Sequence, residues 1–143
     1  MIIIDANLLL DAYDATAAEH PAASAWLNQL FDSGETIGLP WVVIWAFIRV
    51  STNPRLLRTP VPLPEIFSLV AEWLNEPDII VLNPGPRHAA ILEKLVTDYG
   101  AVGPLVSDAV IAALAIEYGA TVASTDQDFR RFPEVRWINP LTA

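Results

Sequence analysis

Residues 104–126 read PLVSDAVIAALAIEYGATVASTD, and their spacing decides the fold. Asp108–Tyr118 is an apolar, helix-like run closed by Gly119, a residue suited to ending a helix and reversing the chain. Thr121–Thr125 is a short apolar, strand-like run that ends at Asp126. A helix from Asp108 to Tyr118, rising about 1.5 Å per residue, travels roughly 16 Å. The strand residues at about 3.3 Å each bring the chain roughly 16 Å back. Asp126 is therefore expected at the edge where Asp108 began.

A second apolar run, Ile2-Ile3-Ile4, ends at Asp5. As a parallel neighbour of Thr121–Thr125 it would put Asp5 at that same edge. Three carboxylates brought together repel one another unless a cation sits between them, and a hard divalent metal is the usual answer. Asp5, Asp108 and Asp126 are thus the candidate catalytic residues. Asp128 either joins them or pairs with Thr125 as a cap. Each also has a purely structural reading. Asp5 caps a helix starting near Asn7, Asp108 complements a helix dipole just after Ser107, and Asp126 begins an Asx-turn. Asn7, Ser107 and Thr125 are either supporting hydrogen-bond partners of the carboxylates or ordinary caps and turn residues.

Outward from these runs, strands alternate with helices. Strands are expected at residues 1–4, 36–39, 78–82, 121–125 and 135–138. Helices are expected near Asn7–Tyr13, after His20-Pro21, and at 41–51, 65–75, 86–99 and 104–118, with a short turn or helix at 129–132. Trp41–Ser51 is apolar nearly all round and should be buried on more than one face. Thr59–Pro64, with three prolines, reads as a surface loop. The class is α/β with a short, mainly parallel sheet, whose sites lie at the carboxyl ends of the strands.

The length of 143 residues fits one domain spanning 1–143. A hydrophobic fraction of 53% argues for a packed core. With no cysteine, disulfides and thiolate metal sites are excluded. The opening MIIIDANLLLDAYD lacks a positive n-region, and Leu39–Ile48 is too short to span a bilayer, so a soluble cytoplasmic protein without membrane contact is expected.

The formal net charge of -9 opposes non-specific binding to nucleic acid. The cations, however, are clustered. Arg49, Arg55 and Arg58 form one group, and Arg130, Arg131 and Arg136 another. If these groups flank an acidic centre, Arg49, Arg55, Arg130 and Arg131 form basic patches beside it. There is no GxGxxG or GxxxxGK[ST] phosphate loop. Of the only two histidines, His20 is expected to cap or pack at a helix start and His88 to lie on a helix surface, which disfavours a histidine metal site or a Ser-His-Asp triad. Trp41 and Trp45 are candidates for a subunit or partner interface.

At these residues the chain resembles the PIN-domain ribonucleases, and within them the VapC toxins of bacterial toxin–antitoxin pairs. IIIDANLLLDAYD, residues 2–14, is similar to the family's first motif. FIRVSTNPR, residues 47–55, resembles a stretch of a mycobacterial-type branch. VSDAVIAALAIEYGATVASTDQDFRRFP, residues 106–133, resembles the late motif, DAxxAAxA followed by TxDxDF. The resemblance implies helices layered on both sides of a parallel sheet, in an α/β/α PIN-like fold. It also implies Mg²⁺-dependent endoribonuclease activity, with Mn²⁺ as a possible substitute, and neutralisation by a VapB-type antitoxin. By that resemblance Asp5 and Asp108 match metal-binding aspartates, Asp126 the later acidic residue and Asn7 the polar residue after the first Asp. Under the same resemblance, Arg49, Arg55, Arg130 and Arg131 are the candidate RNA contacts. One departure stands out. The family commonly carries a glutamate where this chain has Ala46, and no acidic residue occurs between Glu35 and Glu65. Two other readings therefore stand beside the toxin. One is a PIN nuclease of RNA processing without an antitoxin, and the other a weakened domain that binds a partner. A homodimer through the Trp41–Val50 helix is also expected.

Overall fold

A computed structural model describes residues 1–56 and 61–142. In chain order the elements are β1 (Ile2–Ile4), α1 (Ala6–Tyr13), α2 (His20–Asp32), β2 (Ile37–Pro40), α3 (Trp41–Ser51) and α4 (Leu63–Asn75). There follow β3 (Ile79–Leu82), α5 (His88–Tyr99), α6 (Leu105–Tyr118), β4 (Thr121–Ala123), a 3-10 turn (Gln127–Arg131) and β5 (Arg136–Ile138). All strand pairs are parallel, in the order β3-β2-β1-β4-β5. The expected α/β class with a parallel sheet is what the chain forms.

The order reverses direction at β1. The chain leaves β1 toward β2 and β3 and later returns to the other side with β4 and β5. In parallel sheets such a switch point leaves a crevice at the carboxyl ends of the two central strands. Here those strands are β1 and β4, paired Ile2↔Thr121, Ile3↔Val122 and Ile4↔Ala123. Asp5 N extends the ladder by donating to Ala123 O at 3.0 Å. Asp5 and Ser124 therefore step off the sheet side by side.

The helices follow their apolar patterns. α6 is buried along Ala109 and Ile111–Ala115, and Gly119, at φ 63°, ends it in the left-handed conformation that a side chain would strain. α3 differs from expectation. It buries Val43, Ile44, Phe47 and Ser51 on one face only. Trp41, Trp45 and Arg49, four residues apart, share the opposite face and are exposed. α4 starts at Leu63, earlier than expected, because Pro64 sits in its first turn, where its missing N–H costs nothing. The loop expected at Thr59–Pro64 is thus partly helix. Its first two positions, and Arg58, lie outside the described residues.

His88 also departs from expectation. Its side chain is 14% exposed, and Nδ1 lies 2.7 Å from Glu117 Oε2, while Gly85 N donates to Glu117 Oε1 at 2.9 Å. The pair ties the β3–α5 connection to α6. His20 packs as expected, with Nδ1 2.9 Å from Asp11 O. Among the described residues no helix is long and apolar enough to cross a membrane.

Gly38 lies between β1 and β3 in the middle of the sheet. A Cβ there would come within 2.7 Å of Leu82 Cδ1 and 3.2 Å of Ile3 Cγ1, both in fully buried side chains. Gly38→Ala is expected to destabilise the fold by about 1–3 kcal/mol through overpacking. Urea unfolding followed by circular dichroism checks this, and an unchanged midpoint would count against that packing.

Candidate metal centre

The carboxyl edge of β1 and β4 gathers four carboxylates. One oxygen each from Asp108, Asp126 and Asp128 lies within 4.8 Å of the others. Asp108 stands in the first turn of α6, whose positive dipole end faces this edge. Asp126 caps the 3-10 turn, with Oδ1 accepting from Asp128 N at 2.8 Å. That turn brings Asp128 into the group. Asp5 stands beside the three: its charge acts on Asp108, and the charge of Asp126 acts on Asp5. The structure thus brings Asp108, Asp126 and Asp128 closest together, with Asp5 next to them.

Ser124 organises this edge, and sequence reading missed it. It is fully buried, and its Oγ donates to Asp5 Oδ2 at 2.7 Å. The same Oγ accepts from Asp126 N at 2.9 Å and from Asn7 Nδ2 at 3.3 Å. Asp5 Oδ1 accepts from Ala6 N at 2.8 Å, capping α1. One hydroxyl thus connects β1, α1 and the turn after β4. Removing it would leave buried polar partners unsatisfied, at about 1–3 kcal/mol each. Nothing local distinguishes it from the neighbouring hydroxyl of Thr125; only the pairing of its strand with the strand that ends in Asp5 gives it this role. Asn7 joins this network. Ser107 is exposed on the first turn of α6 and Thr125 is half-buried; among the described residues neither hydrogen-bonds to an aspartate.

The electrostatics follow from the crowding. Burial, then the charges of Asp126, Asp5 and Asp128, push Asp108 up to about 7, against a smaller opposing pull from Arg131. Burial also raises Asp5, with Asp126 adding to it, while its bonds from Ser124 and Ala6 act the other way. A group of hard oxygen donors that resist ionising together is suited to a divalent cation. Mg²⁺ binds oxygens at about 2.0–2.1 Å, so ligands on opposite sides lie about 4 Å apart. One oxygen from each of the three aspartates already lies within 4.8 Å of the others, close to that span. Ala46, where a glutamate was expected from the resemblance, is half-buried against the core and supplies no ligand.

The candidate RNA contacts divide. Arg131 is exposed, and its Nη1 donates to Tyr99 O at 3.1 Å. Arg130, also exposed, lies over the Trp137 ring, 5.4 Å from its centroid. Both extend from the 3-10 turn that carries Asp128. Arg49 and Arg55 are exposed at the end of α3 and just beyond it, and among the described residues no ion pair joins them to the aspartates. A separate cleft of about 490 Å³ opens between α1, α3 and α4. It is lined by Leu10, Tyr13, Phe47 and Leu69, with Asp14, Glu65 and Glu72 among its polar residues. None of the four site aspartates lines it.

A family model described as the PIN domain matches residues 2–135. The chain belongs to the PIN-domain family. Ribonuclease VapC37 of Mycobacterium tuberculosis is 40% identical to it over 140 residues, covering 98% of this chain and 97% of the relative. Ribonuclease VapC33 of the same species is 38% identical over 141 residues, covering 99% of each. The fold is also similar to a chain in the crystal structure of VapBC2 from Rickettsia felis bound to a DNA fragment from their promoter. That match has a TM-score of 0.68 at 20% identity, over 97% of this chain and 98% of the other.

The aspartate cluster carries a pH signature. Asp108 ionises at about 7, well above the roughly 3.9 of an unfolded aspartate. Its neutral form favours the fold, so this contribution is complete below about pH 4 and is lost as pH rises through about 7. Without metal, Asp108→Asn is expected to melt at a higher temperature than wild type above pH 7, with the difference vanishing near pH 4. Added Mg²⁺ should raise the wild-type melting temperature more than that of the variant. Differential scanning calorimetry in chelator and in Mg²⁺ measures this, and a variant that melts lower in chelator above pH 7 refutes it.

Proposed function

We propose that this PIN domain is a divalent-metal-dependent endoribonuclease and the toxin of a toxin–antitoxin pair. The observation that carries the reading is the convergence of Asp108, Asp126 and Asp128 within 4.8 Å, beside Asp5. Asp108, Asp126 and Asp128 hold Mg²⁺ or Mn²⁺, and Asp5 adds a fourth negative group. When bound, the cation supplies charge stabilisation for the phosphodiester transition state and acidifies water. The remaining work belongs to the chain. Ser124 and Asn7 keep Asp5 fixed, and the caps of α1 and the 3-10 turn set the angles of Asp5 and Asp126. No protein nucleophile is needed. Arg130 and Arg131 meet phosphates next to the site, and Arg49 and Arg55 extend the track across α3. On a chain of charge -9, local basic groups are what bring RNA to an acidic centre.

The antitoxin is of VapB type. Support comes from the full-length similarity to chains named VapC and from the shared fold with a VapBC2 assembly. The cleft between α1, α3 and α4, apolar within and acidic at its rim, suits an apolar, basic protein segment. The chain also pairs with a second copy through the exposed Trp41–Trp45 face of α3, where the rings lie 6.2 Å apart. The cytoplasm, where RNA and antitoxin are made, is its compartment. Ala46 favours a second reading, a weakened PIN domain that acts by binding a partner.

Asp5→Asn decides between these readings. The amide keeps an acceptor for Ala6 N and a polar group for Ser124, so the fold should persist. RNA cleavage in Mg²⁺ or Mn²⁺ is expected to fall at least about a hundredfold, equivalent to about 2.7 kcal/mol of lost transition-state stabilisation. Gel assays on total cellular RNA check it, and cleavage as fast as wild type would dispose of the site. For the dimer, Trp45→Glu is expected to yield monomers by light scattering. A wild type that is already monomeric removes that interface.

A further inference from the structure

β5 is a three-residue edge strand, yet it grips the buried centre of the site. Ile138 O accepts from Ser124 N at 3.0 Å. Trp137 Nε1 donates to Ser124 O, also at 3.0 Å. With the Oγ contacts already described, every polar group of Ser124 is bonded. The same indole carries Arg130 over its face, 5.4 Å from the centroid. Arg130 is exposed and only two residues past Asp128. Even so, among the described residues it makes no ion pair with Asp126 or Asp128. The guanidinium lies over the indole instead.

We propose that Trp137 is a positioning residue that couples the carboxylate cluster to an RNA-contacting guanidinium, Arg130. This rests on the ribonuclease reading above. The N–H edge of the indole fixes the peptide between Ser124 and Thr125, and so the path by which the chain reaches Asp126. The face of the indole fixes Arg130. A guanidinium stacked on one side keeps its other face for a nucleobase and its N–H edge for a phosphate oxygen. One ring thereby sets the distance between the strand held on Arg130 and the metal held by the aspartates. Arg130 becomes a determinant of which nucleotide sits beside the cleaved bond, since base stacking is a main source of single-strand affinity.

The two edges of the ring can be tested separately, using the full chain, Mn²⁺ alone and a single-stranded RNA of mixed sequence. Trp137→Phe keeps a ring face and loses the N–H. It is expected to raise the Mn²⁺ Kd about tenfold, as loss of a supporting hydrogen bond does in metal sites, with RNA affinity in chelator kept within about twofold. Arg130→Ala is expected to do the reverse, weakening RNA binding about fivefold or more while leaving the Mn²⁺ Kd unchanged. Trp137→Ala should show both losses. An unchanged Mn²⁺ Kd in folded Trp137→Phe, or unchanged RNA affinity in Arg130→Ala, overturns the proposal. If wild type binds neither Mn²⁺ nor RNA, the ribonuclease reading itself fails, and the proposal with it. Should circular dichroism show Trp137→Phe unfolded, the wild-type indole serves instead. Mg²⁺ is expected to shift the Trp137 Nε1–H resonance and leave that of exposed Trp45 in place, and a Trp137 signal that does not respond overturns the coupling.

Discussion

The parallel pairing of β1 with β4 is the contact on which the rest of the molecule depends. The carboxyl ends of these two short strands, Ile4 and Ala123, are 119 residues apart in the sequence. Their register, Ile4 opposite Ala123, is what makes Asp5 and Ser124 neighbours. Ile3 and Ile4, like Val122 and Ala123, are buried on opposite faces of the sheet, and a slip of one residue would exchange the side chains that each packed face receives. Burial of these side chains thus holds the register, and the register holds the site. The hydrophobic core acts here as the ruler for the chemistry.

The site works against the fold that holds it. Asp5 and Asp108 both resist ionisation, because burial and mutual repulsion outweigh their hydrogen bonds and the nearby Arg131. Evenly spread over the surface, the acidic groups of a chain with charge -9 would repel only weakly through salt. Gathered at one sheet edge they are a local strain on the metal-free protein. That strain is relieved by a divalent cation and is therefore also a source of metal affinity. Ser124 limits the cost by giving Asp5 a hydroxyl donor and Asp126 N an acceptor.

Much of this was legible because it depends on lengths and periods. The rise of α6 and the return of β4 carry Asp126 back to Asp108, whatever the details of packing. Asp5 was legible as the end of an apolar run that, if paired in parallel with Thr121–Thr125, would reach the same edge. What stayed hidden depends on cross-chain contacts. Ser124 looked like one more residue of the run Thr121–Thr125, since nothing local marks a hydroxyl that will face a carboxylate 119 residues away. His88 looked like a surface residue because its partner, Glu117, is 29 positions on. α3 looked buried all round because composition shows how apolar a helix is, whereas only its neighbours decide which face they cover. Trp41 and Trp45 were left outside when α1 and α4 packed against Phe47 and its row.

The absent glutamate reads differently once the turn after β4 is in place. Ala46 removes a carboxylate from α3, and counted along the sequence that leaves a trio. In space the 3-10 turn returns one, because Asp126 Oδ1 accepts from Asp128 N and this bond curls Asp128 toward Asp108. The negative charge at the edge is thus supplied by α6, by the β4–β5 connection and by Asp5 at the end of β1, with none from α3. The exposed face of α3 carries Arg49 and two tryptophans, and no carboxylate. A site so lopsided would hold its cation near β4 and β5, which is where Trp137 and Arg130 already stand. The loss of a ligand on one wall and the importance of an edge strand on the other are then two consequences of the same asymmetry.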